Sequence, residues 1–162
     1  MNQISLVTFR VAEQLLALPI DKVREVIRNV TISEAPPWSG LSHGIVNLRG
    51  SVIPVLDLRS VLAETPPSNT RKTRIIIVEM MERTSGLIVD EVEHIVPLSQ
   101  EQMVPLSSLS WDKRTAILAG VAKIENKLYL VVDIDRLVHQ EERNLFKEVC
   151  FRLQKPVVSP TS

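Results

Sequence analysis

A repeat inside the chain limits its folding more than any other feature. Residues 44–62, GIVNLRGSVIPVLDLRSVL, lie without a gap over residues 120–138, GVAKIENKLYLVVDIDRLV, which sets Gly44 on Gly120, Val55 on Val131 and Asp57 on Asp133. Upstream, LPIDKVREVI from Leu18 places its leucine, aspartate and valine on those of LIVDEVEHIV from Leu87. The copies agree in their apolar residues and differ in their polar ones, as expected of two halves that bury similar cores and display different surfaces. Asn47, Arg49 and Gly50 stand where the second copy has Lys123, Glu125 and Asn126. A partner that reads side chains there would tell the halves apart.

The local patterns predict short strands. Residues 4–11 alternate and are rich in branched and aromatic side chains, and residues 14–18 resume after a polar break, which together predict a hairpin. Pro19 to Val23 offers a helical turn or bend before an extended run over residues 25–32. The two prolines of the Trp38 loop, Ala35-Pro36-Pro37-Trp38-Ser39-Gly40, exclude a helix interior and a central strand. Residues 44–48 and 51–56 predict a second hairpin about Arg49-Gly50, where glycine supplies the positive φ of a tight corner, and Asn126 serves the second copy in the same way. Pro54 lacks an amide donor and predicts an edge or a bulge. Asp57 predicts the cap of a single helical turn. Beyond a polar, proline-containing linker over residues 64–72, strands are expected at 74–80 and 87–89, with a turn near Thr84-Ser85-Gly86. A terminal helix is expected over about 141–153, and a frayed tail over 156–162. Many short strands with little helix predict an all-β protein, two five-stranded β-barrels packed together, with lobes at about 4–64 and 74–139, short helices and the C-terminal helix.

Composition removes several functions. The 162 residues carry 19 lysines and arginines against 19 aspartates and glutamates, so no net field draws the chain to a polyanion. The single cysteine, Cys150, has no partner for an internal disulfide, and with no basic leader or long apolar run a cytoplasmic location without membrane insertion is expected. His43, His94 and His139 are scattered, with none at the spacing that places two imidazoles on one metal ion. Ser39, Ser42 and Ser51 lie in no nucleophile elbow, and no glycine-rich phosphate cradle occurs, so no catalytic residue, metal ligand or cofactor is expected. Capping accounts for the repeated Asp57 and Asp133 more simply than acid catalysis does. Small barrels also bind single-stranded nucleic acid, but that use needs a basic stripe and stacking aromatics. Here aromatics make up 4% of the chain, with Trp38, Trp111 and Tyr129 dispersed.

Glu25, Arg49 and Arg59 lie beside hairpin corners in the first copy only. A Glu25–Arg49 pair is open to two readings: an ordinary solvated ion pair that adds little to stability, or a guanidinium held by a carboxylate for geometric recognition of a partner. Val23, Val26 and Ile27 lie close by in sequence, with Val26 pointing opposite to Ile27 if the segment is a strand.

The run GIVNLRGSVIPVLDLR resembles the motif G-x-x-N-L-R-G-x-x-x-P-V-x-D-L-R of the CheW family of bacterial chemotaxis coupling proteins. It is met at Gly44, Asn47, Leu48, Arg49, Gly50, Pro54, Val55, Asp57, Leu58 and Arg59. The resemblance runs from about residue 4 to the terminal helix. It implies two intertwined SH3-like five-stranded barrels around a shared core, and a scaffold that does no chemistry. It further implies coupling of transmembrane chemoreceptors to the histidine kinase CheA, whose homologous regulatory domain would meet the barrel ends in alternating rings. The receptor's cytoplasmic tip would bind near the barrel boundary, with Val23, Glu25, Ile27 and Arg49 on the receptor side and Glu25–Arg49 as the polar pair. Gly44, Asn47, Gly50, Asp57 and Arg59 would shape turns of the motif. The kinase and the CheV type carry this domain beside further domains that do not fit this length, so the expectation is a stand-alone coupling protein. It would be monomeric alone, and recruited with its partners to a ring or array at the membrane.

Overall fold

Among the described residues, three two-residue corners organise the strands. β1 (Gln3–Val11) folds back on β2 (Gln14–Pro19) through Ala12 and Glu13, with φ of 48° and 69°. β4 (Gly44–Leu48) and β5 (Ser51–Asp57) meet through Arg49 and Gly50, with φ of 51° and 86°. In the computed structural model the residues described are 3–28, 32–33, 44–59, 68–80, 83–104 and 118–137. The predicted terminal helix and tail, the Trp38 loop, Trp111, Cys150, His43 and His139 lie outside them. The remaining strands are β3 (Val23–Arg28), β6 (Arg74–Met80), β7 (Arg83–Val89), β8 (Glu91–Ser99), β9 (Met103–Val104), β10 (Leu118–Ile124) and β11 (Lys127–Val132). The third corner, Glu125-Asn126, joins β10 to β11 with φ of 48° and 66°. Positive φ at both corner residues matches the right-handed twist of the flanking strands. Short helical turns occupy Ile20–Lys22, Gln100–Gln102 and Ile134–Leu137.

The strands form two mixed sheets. One, the first barrel, has the order β3-β6-β7-β5-β4; the other, the second barrel, has the order β8-β1-β2-β11-β10-β9. Laid on the sequence repeat, β1 to β5 correspond in turn to β6, β7, β8, β10 and β11. Each barrel therefore takes its leading hairpin from the opposite copy, β6–β7 in the first and β1–β2 in the second. The exchange is symmetric down to strand direction: β5 runs parallel to β7, and β11 runs parallel to β2. Sheet membership thus does not follow the predicted division at residues 64–72, because the strands on both sides of that segment pair with each other.

Both sheets curl closed. Ser33 and Ile45 exchange backbone hydrogen bonds of 2.9 and 2.8 Å, which joins the chain beyond β3 to β4. In the second barrel the turn after β8 brings β9 onto β10. The repeated glycines lie at these closures and not in turns. A Cβ on Gly44, whose φ is +152°, would collide with the Ser33 carbonyl oxygen, and one on Gly120 would lie 3.0 Å from Met103 Cε and 3.2 Å from the Val104 oxygen. Two other sequence signals mean something different from the sequence expectation. Gly86 lies inside β7, where a Cβ would stand 2.8 Å from Val55 Cγ1 and 2.9 Å from Ile75 Cγ2; it marks close approach of strands, not the turn expected there. Pro54 is on an interior strand, but it sits opposite Ile45 at a non-hydrogen-bonded position of the β4–β5 ladder. Its nitrogen faces the side where β7 joins only from Val55 onward, so no ladder bond is lost.

Three apolar clusters follow. Leu6, Ala17, Leu98, Ala122, Tyr129 and Val131 fill the second barrel, and Val46, Val55, Ile75, Ile77 and Ile88 fill the first. Between them lies a larger core that includes Phe9, Leu16, Leu18, Leu56, Ile76, Val78, Leu87 and Val132. The exchanged strand β6 alternates between the two, with Ile75 and Ile77 inward and Ile76 and Val78 toward the partner barrel. Burial on both faces explains its unbroken apolar run. Among the described residues no helix is long and apolar enough to cross a membrane. The closures predict an asymmetry in tolerance. Gly44→Ala, which collides with rigid backbone, should cost about 3 kcal/mol or more, whereas Gly120→Ala, which presses on a flexible methionine end and only crowds the Val104 carbonyl, should cost about 1 kcal/mol. Urea unfolding of the two variants reads the difference.

Candidate functional site

The first barrel brings together two residues 24 positions apart in sequence. Arg49 leaves the β4–β5 corner, next to one edge of the sheet, and meets Glu25 on β3 at the other edge. The guanidinium donates from both terminal nitrogens, Nη1 to Glu25 Oε2 at 2.9 Å and Nη2 to Oε1 at 2.8 Å. This planar fork spans the seam where the barrel closes. Arg49 keeps 71% of its side chain in solvent and Glu25 keeps 29%, so one face of the fork remains open to a partner. The hydrogen bond from Arg49 holds the Glu25 carboxyl below the ordinary carboxylate range and pushes the guanidinium up in turn. Because the Glu25 value is depressed in the folded chain, the pair is complete above the ordinary carboxylate range and is lost as pH falls through the depressed value.

A bulge at Arg24 decides what surrounds the pair. Val23 sits opposite Val78, whereas Glu25 sits opposite Ile77. Val23 therefore packs against the shared core and Ile27 against the interior of the first barrel, both half-buried. The four residues expected on one receptor face are close along β3 and the corner, but their apolar members line different interiors. Val26, on the outer side, is the exposed one at 40%. Arg24 pairs with Glu79 at 3.0 Å on the neighbouring strand.

The remaining motif residues are internal to the fold. Asn47 Oδ1 accepts from the Gly50 amide at 3.0 Å, which ties the corner. Asp57 Oδ1 accepts from the Arg59 amide at 3.0 Å and caps the turn that starts at Leu58. Arg59 folds back on the same carboxylate through Nε at 2.9 Å and Nη2 at 2.8 Å, and reaches the Ser68 carbonyl at 3.3 Å. With 6% of its side chain exposed, Arg59 is a buried structural arginine and no member of the surface pair. His94 is exposed on β8, and among the described residues no group of three His, Cys, Asp or Glu side chains could hold a metal ion.

The alternation along β3 foresees an outward Val26 and an apolar strip there, but not the three further residues that extend an exposed apolar surface to both barrels. Val26, Val52, Ile95 and Leu128 are 40%, 65%, 63% and 60% exposed. In the repeat Val26 lies on Ile95 and Val52 on Leu128, so each barrel presents large apolar side chains at matching outer positions. The alignment of the copies carries this signal, but agreement in apolar residues reads as core unless exposure is known.

A pair of hairpin-exchanged barrels with unequal rims and matching outer apolar positions defines an interaction module. The chain belongs to the CheW-like domain family, which it matches over residues 5–142. It is 30% identical over 138 residues to a probable chemotaxis protein CheW of Rhizobium etli, covering 85% of this chain and 88% of that one. It is 27% identical over 140 residues to the chemotaxis protein CheW of Thermotoga maritima, covering 86% and 91%. Its fold resembles the crystal structure of the scaffolding protein TtCheW from Thermoanaerobacter tengcongensis, with a TM-score of 0.74, 32% identity and coverage of 87% and 97%. The family is one of chemotaxis scaffolds, and the chain is not an enzyme.

The two arginines of the motif should separate cleanly on substitution. Arg59→Leu strands the buried Asp57 carboxylate and should cost about 3–5 kcal/mol. Arg49→Ala should leave the unfolding midpoint essentially at the wild-type value, and parallel denaturant titrations test both.

Proposed function

We propose that the chain couples transmembrane chemoreceptors to the histidine kinase CheA, binding a receptor's cytoplasmic tip on the first barrel and the kinase's regulatory domain at the barrel ends. The observation that carries this reading is the bidentate Glu25–Arg49 fork. It stands on the rim of one barrel only, it contributes little to folding as an exposed pair, and its geometry suits polar groups on a partner helix. In the second copy the same places hold His94 and Glu125. Identity to a chemotaxis CheW over most of both chains supports the same reading. Exposed Val26 adds apolar contact beside the fork, while Val23 and Ile27 support it from beneath. The matching outer residues Ile95 and Leu128 on the second barrel offer a separate face for the kinase domain.

In this role the protein works in the cytoplasm, is monomeric by itself, and joins receptor arrays through its partners. Each contact is modest, about 1,200 Å² or less, and binds in the micromolar range until assembly raises the effective concentration.

Titration of the labelled protein with the regulatory domain of its cognate CheA and with a receptor-tip fragment tests the proposal. Arg49→Glu should weaken tip binding tenfold or more and leave kinase-domain affinity and the unfolding midpoint unchanged. Loss of both partners together, or no binding of either by the unaltered protein, would refute the two-faced role. Val23→Glu is a poorer probe, because that side chain packs on the shared core and its replacement will also destabilise the fold.

A further inference from the structure

We propose that Asn47 is a positioning residue for the Glu25–Arg49 fork: its side chain fixes the corner from which Arg49 reaches across the barrel seam. Arg49 holds φ of +51°, a left-handed conformation that a non-glycine residue keeps only when its surroundings impose it. Closure of the two-residue hairpin imposes it here as at the other corners, and two side-chain contacts then hold this corner in place. One is the fork itself, and the other is the 3.0 Å hydrogen bond from the Gly50 amide to Asn47 Oδ1, which pins the residue after Arg49 to the strand before it.

The second copy shows that the hairpin does not need this bond. There Glu125 and Asn126 adopt the same pair of left-handed conformations, with φ of 48° and 66°, and β10 and β11 pair up to Ile124↔Lys127. Yet the residue matching Asn47 is Lys123, whose side chain has no acceptor. A bond dispensable for the corner, and present only in the copy whose corner carries the arginine, is explained by what the arginine does. Without it the corner retains its fold while the guanidinium samples directions off the seam, and the fork forms part of the time.

The importance of this placement for a receptor rests on the function proposed above, so the experiment separates the two. In the full chain, carbon-detected NMR titration of the Glu25 carboxyl reports the fork with no partner present. In Asn47→Ala the Glu25 titration should move up toward the ordinary carboxylate range, in the direction of Arg49→Ala, with amide shifts elsewhere in β4 and β5 retained. Asn47→Asp, which keeps the Oδ1 acceptor, should hold the titration near its wild-type position. Tip-fragment binding should fall about three- to tenfold in Asn47→Ala and recover in Asn47→Asp. A Glu25 titration unmoved by Asn47→Ala overturns the positioning role, whatever the receptor does. So does a tip affinity that falls in Arg49→Ala yet is unchanged in Asn47→Ala. If the titration moves as expected but Arg49→Ala itself leaves tip binding intact, the positioning stands and the receptor assignment of the fork is the part that fails.

Discussion

The exchanged hairpins carry the rest of the structure. β6 and β7 belong in sequence to the second copy and in space to the first barrel, while β1 and β2 do the reverse. Each presents one face to the interior of its host barrel and the other to the core between barrels, so Ile75 and Ile76, neighbours in the chain, serve different cores. Full burial of side chains of this size contributes about 1.5–3 kcal/mol each. A hairpin lost from one barrel would therefore open both. The two closures fall at Gly44 and Gly120, where the neighbouring chain passes close over a residue without a side chain.

On this nearly symmetric frame, to which the second sheet adds β9, the two rims differ in their polar residues. The corner of the first barrel holds Arg49 and places its charge over a carboxylate on the far edge strand, and the corresponding corner holds Glu125. Buried charge has another use, since Asp57 and Arg59 satisfy each other at the start of the helical turn, where removing either leaves the other stranded. Two arginines of one short motif thus have opposite roles, and only their exposure separates them.

Much of this architecture is legible in the sequence. Alternation and corner residues locate the hairpins, and the motif points to the family. The repeat discloses two equivalent units but cannot disclose the exchange, because aligning the copies gives the same result whether a hairpin pairs within its own copy or with the other. Glycine and proline signal the right physics in the wrong context. Gly86 accommodates a neighbouring strand instead of a turn, and Pro54 sits in an interior strand at the one spot where its missing donor is harmless. The Glu25–Arg49 contact is foreseeable as a pairing of charges, but not its place across a seam that exists only once the sheet has closed. The half-burial of Val23 and Ile27 against different cores depends on the bulge at Arg24, for which the sequence carries no mark.

The parallel contacts of β5 with β7 and of β11 with β2 bear on how such a chain can arise. A single copy of the repeat, on its own, would project a hairpin with two apolar faces and no sheet to receive it. Two separate copies could satisfy each other only as a swapped dimer, at a concentration high enough to meet. Joining them in one polypeptide makes the meeting intramolecular and frees each copy from having to match itself across a two-fold axis. Only then can one rim carry an arginine and the other a glutamate, so the covalent link that makes the exchange intramolecular is also what releases the two ends from being alike.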